Sequence, residues 1–193
     1  MVPAVLAGGG IWFNRQQRER ELEIAKEQRE RDVEIAERRT QDEALQAYLD
    51  QMSSMLIPNT DQPSLYRARP GDSLSSVARA RTLTILPRLD EDRKARVVQF
   101  LYESGLIAKG RPVLDLQGAD LNWVDLRWAH LRSANLRSAD LRSAYLLQAD
   151  VTEEQLEEAS TLQNATMPNG QRYEDWLKDK ESHGEGEENS DPS

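Results

Sequence analysis

The chain has no cysteine, only two histidines and two phenylalanines, and aromatic residues at just 6% of its 193 positions. Without thiols it can form neither disulfides nor thiolate sites, and an intracellular compartment is the consistent expectation. At 38% hydrophobic and 31% charged, it lacks the apolar content for one large core. It also lacks an apolar run long enough to span a bilayer. Residues 1–13, MVPAVLAGGGIWF, would reach about 20 Å as a helix against roughly 30 Å of hydrocarbon. No basic residue precedes that run, so it does not fit a signal peptide.

What is present at the amino end is an abrupt change. Trp12 and Phe13 are followed by Arg15, Arg18 and Arg20, the pattern found at the cytoplasmic edge of a membrane helix. Residues 1–13 therefore read as a truncated membrane anchor, the alternative being a short amphiphilic start. The expected location is the cytoplasmic side of the inner membrane if anchored, and otherwise the cytoplasm.

The net charge of −9 is unevenly spread. Residues 14–56 carry 8 basic and 11 acidic side chains, residues 57–112 carry 10 and 6, and residues 113–151 carry 4 and 5. Residues 152–173 carry 1 and 4, and residues 174–193 carry 2 and 8. The last segment has so little to bury that a disordered acidic tail is expected over 174–193.

Residues 14–57 read as one long charged helix. RERELEIAKEQ (18–28), RERDVEIAERR (29–39) and TQDEALQAYLD (40–50) align as an eleven-residue repeat in which Leu22, Val33 and Ala44 correspond, as do Ala25, Ala36 and Ala47. Eleven residues are three turns, which implies a straight or slightly right-handed helix. Gly and Pro are absent from Ile11 to Ile57, and Pro58 ends the run. Two readings stay open: a solvated stalk held by i,i+4 Glu/Arg pairs, or a coiled coil forming a homo-oligomer. From Leu45 the side chains enlarge through Tyr48, Leu49, Met52, Met55 and Leu56, the pattern of a helix end packed on a following domain.

Residues 58–112 read as a loop and a helical pair capping the next element. Asp72 or Ser73 is positioned to cap a helix ending at Pro87, and Asp90 to cap another closed by Gly105. The basic surplus raises a helix-turn-helix DNA reader, but Arg79, Arg81, Arg88, Arg93, Lys94 and Arg96 are interleaved with acids, and nucleic acid is not the expected partner.

Residues 113–151 have a period of five. The centres are Leu116, Leu121, Leu126, Leu131, Leu136, Leu141, Leu146 and Val151, with Leu114, Ala119, Val124, Ala129, Ala134, Ala139, Ala144 and Ala149 two places before them. On a helix, a step of five scatters the leucines over every face; on a straight strand, an odd period exposes half of them. A chain that turns a corner at each step keeps them all inside, and four steps close a square coil with about 4.8 Å between coils.

ADLNW (119–123), AHLRS (129–133), ANLRS (134–138), ADLRS (139–143) and ADV (149–151) resemble the A(D/N)LXX consensus of pentapeptide-repeat proteins. The resemblance implies a right-handed quadrilateral β-helix, here about two coils. With the flanking helices the expected fold class is α+β: a long charged helix, a helical cap, the β-helix, and a C-terminal cap over 152–173. WFNRQQ, VARARTLTIL, FLYESGLI, VTEEQL and ATMPNG further resemble a bacterial subgroup with an N-terminal membrane segment.

Convergent chemistry is lacking. His130 takes an outward slot filled elsewhere by Asp or Asn, His183 lies in the tail, Gly8–Gly10 have no phosphate-loop lysine, and the repeated serines have no base. No catalytic, cofactor or metal residue is expected, and the chain reads as a non-enzymatic scaffold or interaction module for a protein partner. Trp123, Trp128, Arg127, Arg132, Arg137 and Arg142 form the candidate interaction surface, the alternative for the two tryptophans being packing against a cap. The resemblance also brings an alternative, mimicry of DNA toward a type II topoisomerase. It is opposed by the near-neutral charge of residues 113–151.

Overall fold

Uninterrupted helix-forming sequence between Ile11 and Ile57 produces α1, Leu6–Leu56, in the computed structural model, which describes residues 6–57, 64–107 and 112–184. Residues 1–5 of the expected anchor and the tail beyond Gly184 lie outside these. The chain divides into two compact units, Met1–Thr40 and Gln41–Ser193, and α1 contributes to both.

Among the described residues the first unit has no core of its own. Leu22 and Val33 are 70% and 66% exposed, and Ile24 and Ile35 are also in solvent. Its order rests on helix propensity and on ion pairs one turn apart: Arg15–Glu19, Lys26–Glu30, Glu27–Arg31 and Glu34–Arg38. Each such pair contributes about 0.2–0.5 kcal/mol.

The second unit starts where α1 becomes apolar. Leu45, Tyr48, Met52 and Leu56, at helical spacing, are buried. They join a core with α2 (Ser73–Ile85) and α3 (Glu91–Glu103). The Tyr48 hydroxyl lies 2.8 Å from Thr82 Oγ1, and burial pushes its pKa up to about 12. Asp90 caps α3 by accepting the Arg93 N–H, and Gly105 takes a left-handed φ of 72° at the other end. Leu106 O then accepts the N–H groups of both Val113 and Leu114, leading the chain into the repeats.

The repeats differ from the expected β-helix. Among the described residues there is no β-strand and no sheet. The backbone pairing is confined to isolated bridges, such as Asp120 with Asp140 and Asp125 with Tyr145. The α+β assignment is corrected accordingly: the regular elements are helices, and the repeat segment is a stack of tight turns. The physical reason is the length of the step. Each leucine carbonyl accepts the N–H three residues on, as Leu121 O does from Val124 and Leu141 O from Ala144. The residue before that N–H turns the chain through a left-handed φ at Gly118, Trp123, Trp128, Ser138, Ser143 and Gln148. A turn every five residues leaves no extended run in which a second bridge could follow the first. Turn and pairing alternate: Leu121 N donates to Asp140 O and Asp140 N to Ala119 O, at 2.9 Å each.

The inward leucines are buried from Leu116 to Leu146, while Ala129 and Val151 are only half-buried. The stacking continues past Val151. Helix α4 (Glu153–Glu157) takes the place of one turn, held by a reciprocal capping box between Thr152 and Gln155. The Gln155 amide also donates to Leu131 O and Ala134 O, the carbonyls it covers. Beyond α4 the pairing offset grows from twenty to twenty-one residues, as in Asp140 with Thr161 and Tyr145 with Thr166, and Leu162, Ala165 and Met167 are buried.

The first part of the tail expected from residue 174 is helical: α5 spans Tyr173–Gly184. Tyr173 and Trp176, one turn apart, stack at 6.1 Å. Lys180 lies 5.1 Å over the Trp176 ring and pairs with Glu153 and Glu157 of α4. These contacts order a segment whose composition alone argues for solvation. Among the described residues no helix is long and apolar enough to cross a membrane.

Candidate interaction surface

In most steps the residue preceding the leucine does a structural job. Asp115, Asp120, Asp125, Asn135 and Asp140 each accept, through the side chain, the N–H two residues on, at 3.1–3.2 Å. This Asx turn explains the preference for Asp or Asn at that place in the step. His130 and Tyr145 depart from it, and both are exposed.

The same regularity is what a comparison with known families detects. Residues 115–153 match the family described as Pentapeptide repeats, in eight copies. The chain carries pentapeptide repeats. No curated protein and no solved structure is significantly similar to it. Pentapeptide repeats are generally non-enzymatic, and their regular positions here are occupied with making turns.

The arginines on the pentapeptide repeats are mostly matched within the stack. Arg127 donates to both carboxylate oxygens of Asp125, at 2.8 and 2.5 Å, and Arg142 to both of Asp140. These hydrogen bonds hold both carboxyls below the usual carboxylate range. Arg132 lies 3.6 Å from Asp150. Arg137 follows Asn135, and its guanidinium meets no carboxylate among the described residues. Charge therefore cancels at short range, and such exposed pairs, screened by solvent, add little to stability.

The basic helical pair is bound to the repeats by its own cations. Lys94, 3% exposed, donates to Asp120 Oδ1, Asn122 Oδ1 and Asn122 O at 2.9, 2.6 and 3.2 Å. Arg79 bonds Asp115 Oδ1 and Gln117 O, both at 2.6 Å. Arg93 pairs with Asp42 and Asp90. Three of the six cations that raised nucleic-acid binding are thus engaged with acids.

The two tryptophans are different in kind. Trp123 and Trp128 are 56% and 66% exposed, and both hold left-handed backbone, at φ 58° and 64°. Other steps place Gly, Ser, Gln or Asn there. A bulky side chain at positive φ is strained, by about 1–3 kcal/mol for such backbone outliers. Trp128 and Arg127 border a groove of about 450 Å³ against α3, whose other wall includes Val98 and Tyr102. There the Tyr102 ring stacks on His130, with centroids 4.9 Å apart. Trp123, Arg132, Arg137 and Arg142 do not line this groove. The predicted surface is therefore divided, and sequence spacing missed Tyr102 and His130. The only hint of them was a histidine in an Asp/Asn slot. Among the described residues no three His, Asp or Glu side chains converge as a metal site requires.

Proposed function

We propose that the chain is a non-enzymatic interaction module in which the pentapeptide repeats present the Trp128 groove to a protein partner. The observation that carries this reading is Trp128 itself, a large exposed aromatic held at positive φ beside the Tyr102–His130 stack. Strain and exposure both oppose folding, and tryptophans dominate binding energy at interfaces. In this reading the groove is the contact and residues 14–40 are a charged spacer. Site-specific photocrosslinking from position 127 in cells tests it. A discrete crosslinked protein is expected, with its yield lowered about tenfold by Trp128→Asn, a loss common for hot-spot residues. Equal yield with and without the tryptophan would overturn it.

The finer placement is at the cytoplasmic face of an inner membrane, as in the subgroup with a membrane segment. Its support is the sequence Trp12–Phe13 followed by Arg15, Arg18 and Arg20. On fractionation of cells the protein should be recovered with the membranes, and recovery wholly in the soluble fraction would contradict tethering. The topoisomerase alternative is opposed by the Arg127–Asp125 and Arg142–Asp140 pairs, which neutralise the acidic surface that DNA mimicry needs. No inhibition of gyrase supercoiling is expected at micromolar concentrations.

A further inference from the structure

A second groove lies between the last turns of α1 and α2, with a volume of about 530 Å³. It follows from the helical spacing of small residues. Tyr48 and Met52 of α1 and Ala78 and Thr82 of α2 are buried. The adjoining strips carry Ala44 and Ala47 on one helix and Val77, Ala80 and Ile85 on the other. Alanines on both sides leave a trough, and Val77 stands half-exposed in it. Helices pack at about 8–10 Å between axes, and small residues permit the near end of that range. The trough thus has the form of a seat for a third helix.

Its charge is one-sided. Arg81 and Arg88 line it, and no carboxylate does among the described residues. Arg81 donates to the neutral amide of Gln51, and Arg88 meets no carboxylate among the described residues. Elsewhere on the helical pair, Arg79, Arg93 and Lys94 are each matched to an aspartate.

We propose that this groove docks an amphipathic helix of a partner protein, with leucine-sized residues on one face and acidic residues flanking it. The chain's own segments fit less well. Helix α5 is held against α4 through Lys180, and residues 185–193, EGEENSDPS, have no large apolar residue to fill the floor. Residues 15–40 of another copy carry both signs of charge in alternation rather than an acidic border. The recognition is helix-in-groove packing with complementary flanking charge. It is independent of the Trp128 groove.

Fluorescence anisotropy with the full chain and two designed helical peptides tests it. The peptides share one leucine/alanine face and differ in having glutamate or lysine flanks. The glutamate peptide should bind at least about tenfold more tightly. The Arg81→Glu/Arg88→Glu variant should reverse that order, and Ala47→Trp, at an exposed position, should abolish binding while leaving the helical circular dichroism unchanged. Trp128→Asn should have no effect, which separates this site from the one proposed above. Equal binding of both peptides, binding of neither at about 100 μM, or binding that survives Ala47→Trp would overturn the proposal. So would concentration-dependent dimers that Ala47→Trp dissociates, because they would assign the groove to a second copy.

Discussion

Residues 15–40 and the pentapeptide repeats solve opposite problems. In this part of α1 the backbone pairs along its own helix and the side chains are nearly all in water, so order rests on helix propagation and small contributions from neighbouring side chains. In the repeats little is local beyond single turns. Leu121 is ordered because its N–H reaches Asp140 and its side chain lies among leucines of other steps. A charged helix tolerates change at almost any position, while a stack of turns concentrates its stability in a few inward side chains.

The strongest way to break this comparison is to remove an inward leucine and an exposed valine in parallel. Leu141→Ala should cost about 2–5 kcal/mol in urea denaturation, because the surrounding turns cannot collapse into the space. Val33→Ala should lie within about 0.5 kcal/mol of the parent. Comparable losses from both would mean that α1 has a hidden partner, as the coiled-coil reading requires.

A somewhat smaller effect is expected at the junction within the second unit. Lys94→Ala leaves Asp120 and Asn122 without their buried donor and should cost about 2–4 kcal/mol, toward the level of a broken buried pair. Lys94→Met, which fills the volume, should recover part of the loss. Recovery to the parent value would show that the ion pair adds nothing to the packing of the stem.

Titration sharpens the contrast further. Tyr48 has a folded pKa raised from 10.0 to about 12, so its contribution is complete below pH 10 and is lost as the pH rises from 10 toward 12. Asp125 and Asp140 have lowered folded values, so their contribution is complete above the normal carboxylate range and fades as the pH falls through the lowered values. Thermal unfolding followed against pH should show both edges, and Tyr48→Phe should flatten only the alkaline one. An alkaline edge unchanged in Tyr48→Phe would mean that another group carries it.

Much of this was legible from spacing. The period of five placed every leucine from Leu116 to Leu146 inside, and the Asp90 cap stood at the expected helix start. The strands did not follow, because an inward pattern specifies which side chains are buried and not how long the backbone stays extended between corners. Helix α5 was hidden by acidic composition, although Tyr173, Trp176 and Leu177 are spaced as one face. At the candidate surface, Trp128 was visible as an outward residue, but its positive φ is a property of the turn. The Lys94–Asp120 and Tyr102–His130 contacts join separate elements, and no one-dimensional pattern says which faces meet.

Leucine and alanine make the stack, while in the function proposed above Trp128 is kept for contact. The stability of Trp128→Asn tests this most directly, since asparagine tolerates the left-handed backbone that tryptophan strains. Relief of strain and loss of the tryptophan's partial packing should nearly cancel, leaving the urea unfolding free energy within about 1 kcal/mol of the parent. A loss of about 2 kcal/mol or more, the scale of a buried leucine, would contradict the account and make Trp128 part of the core.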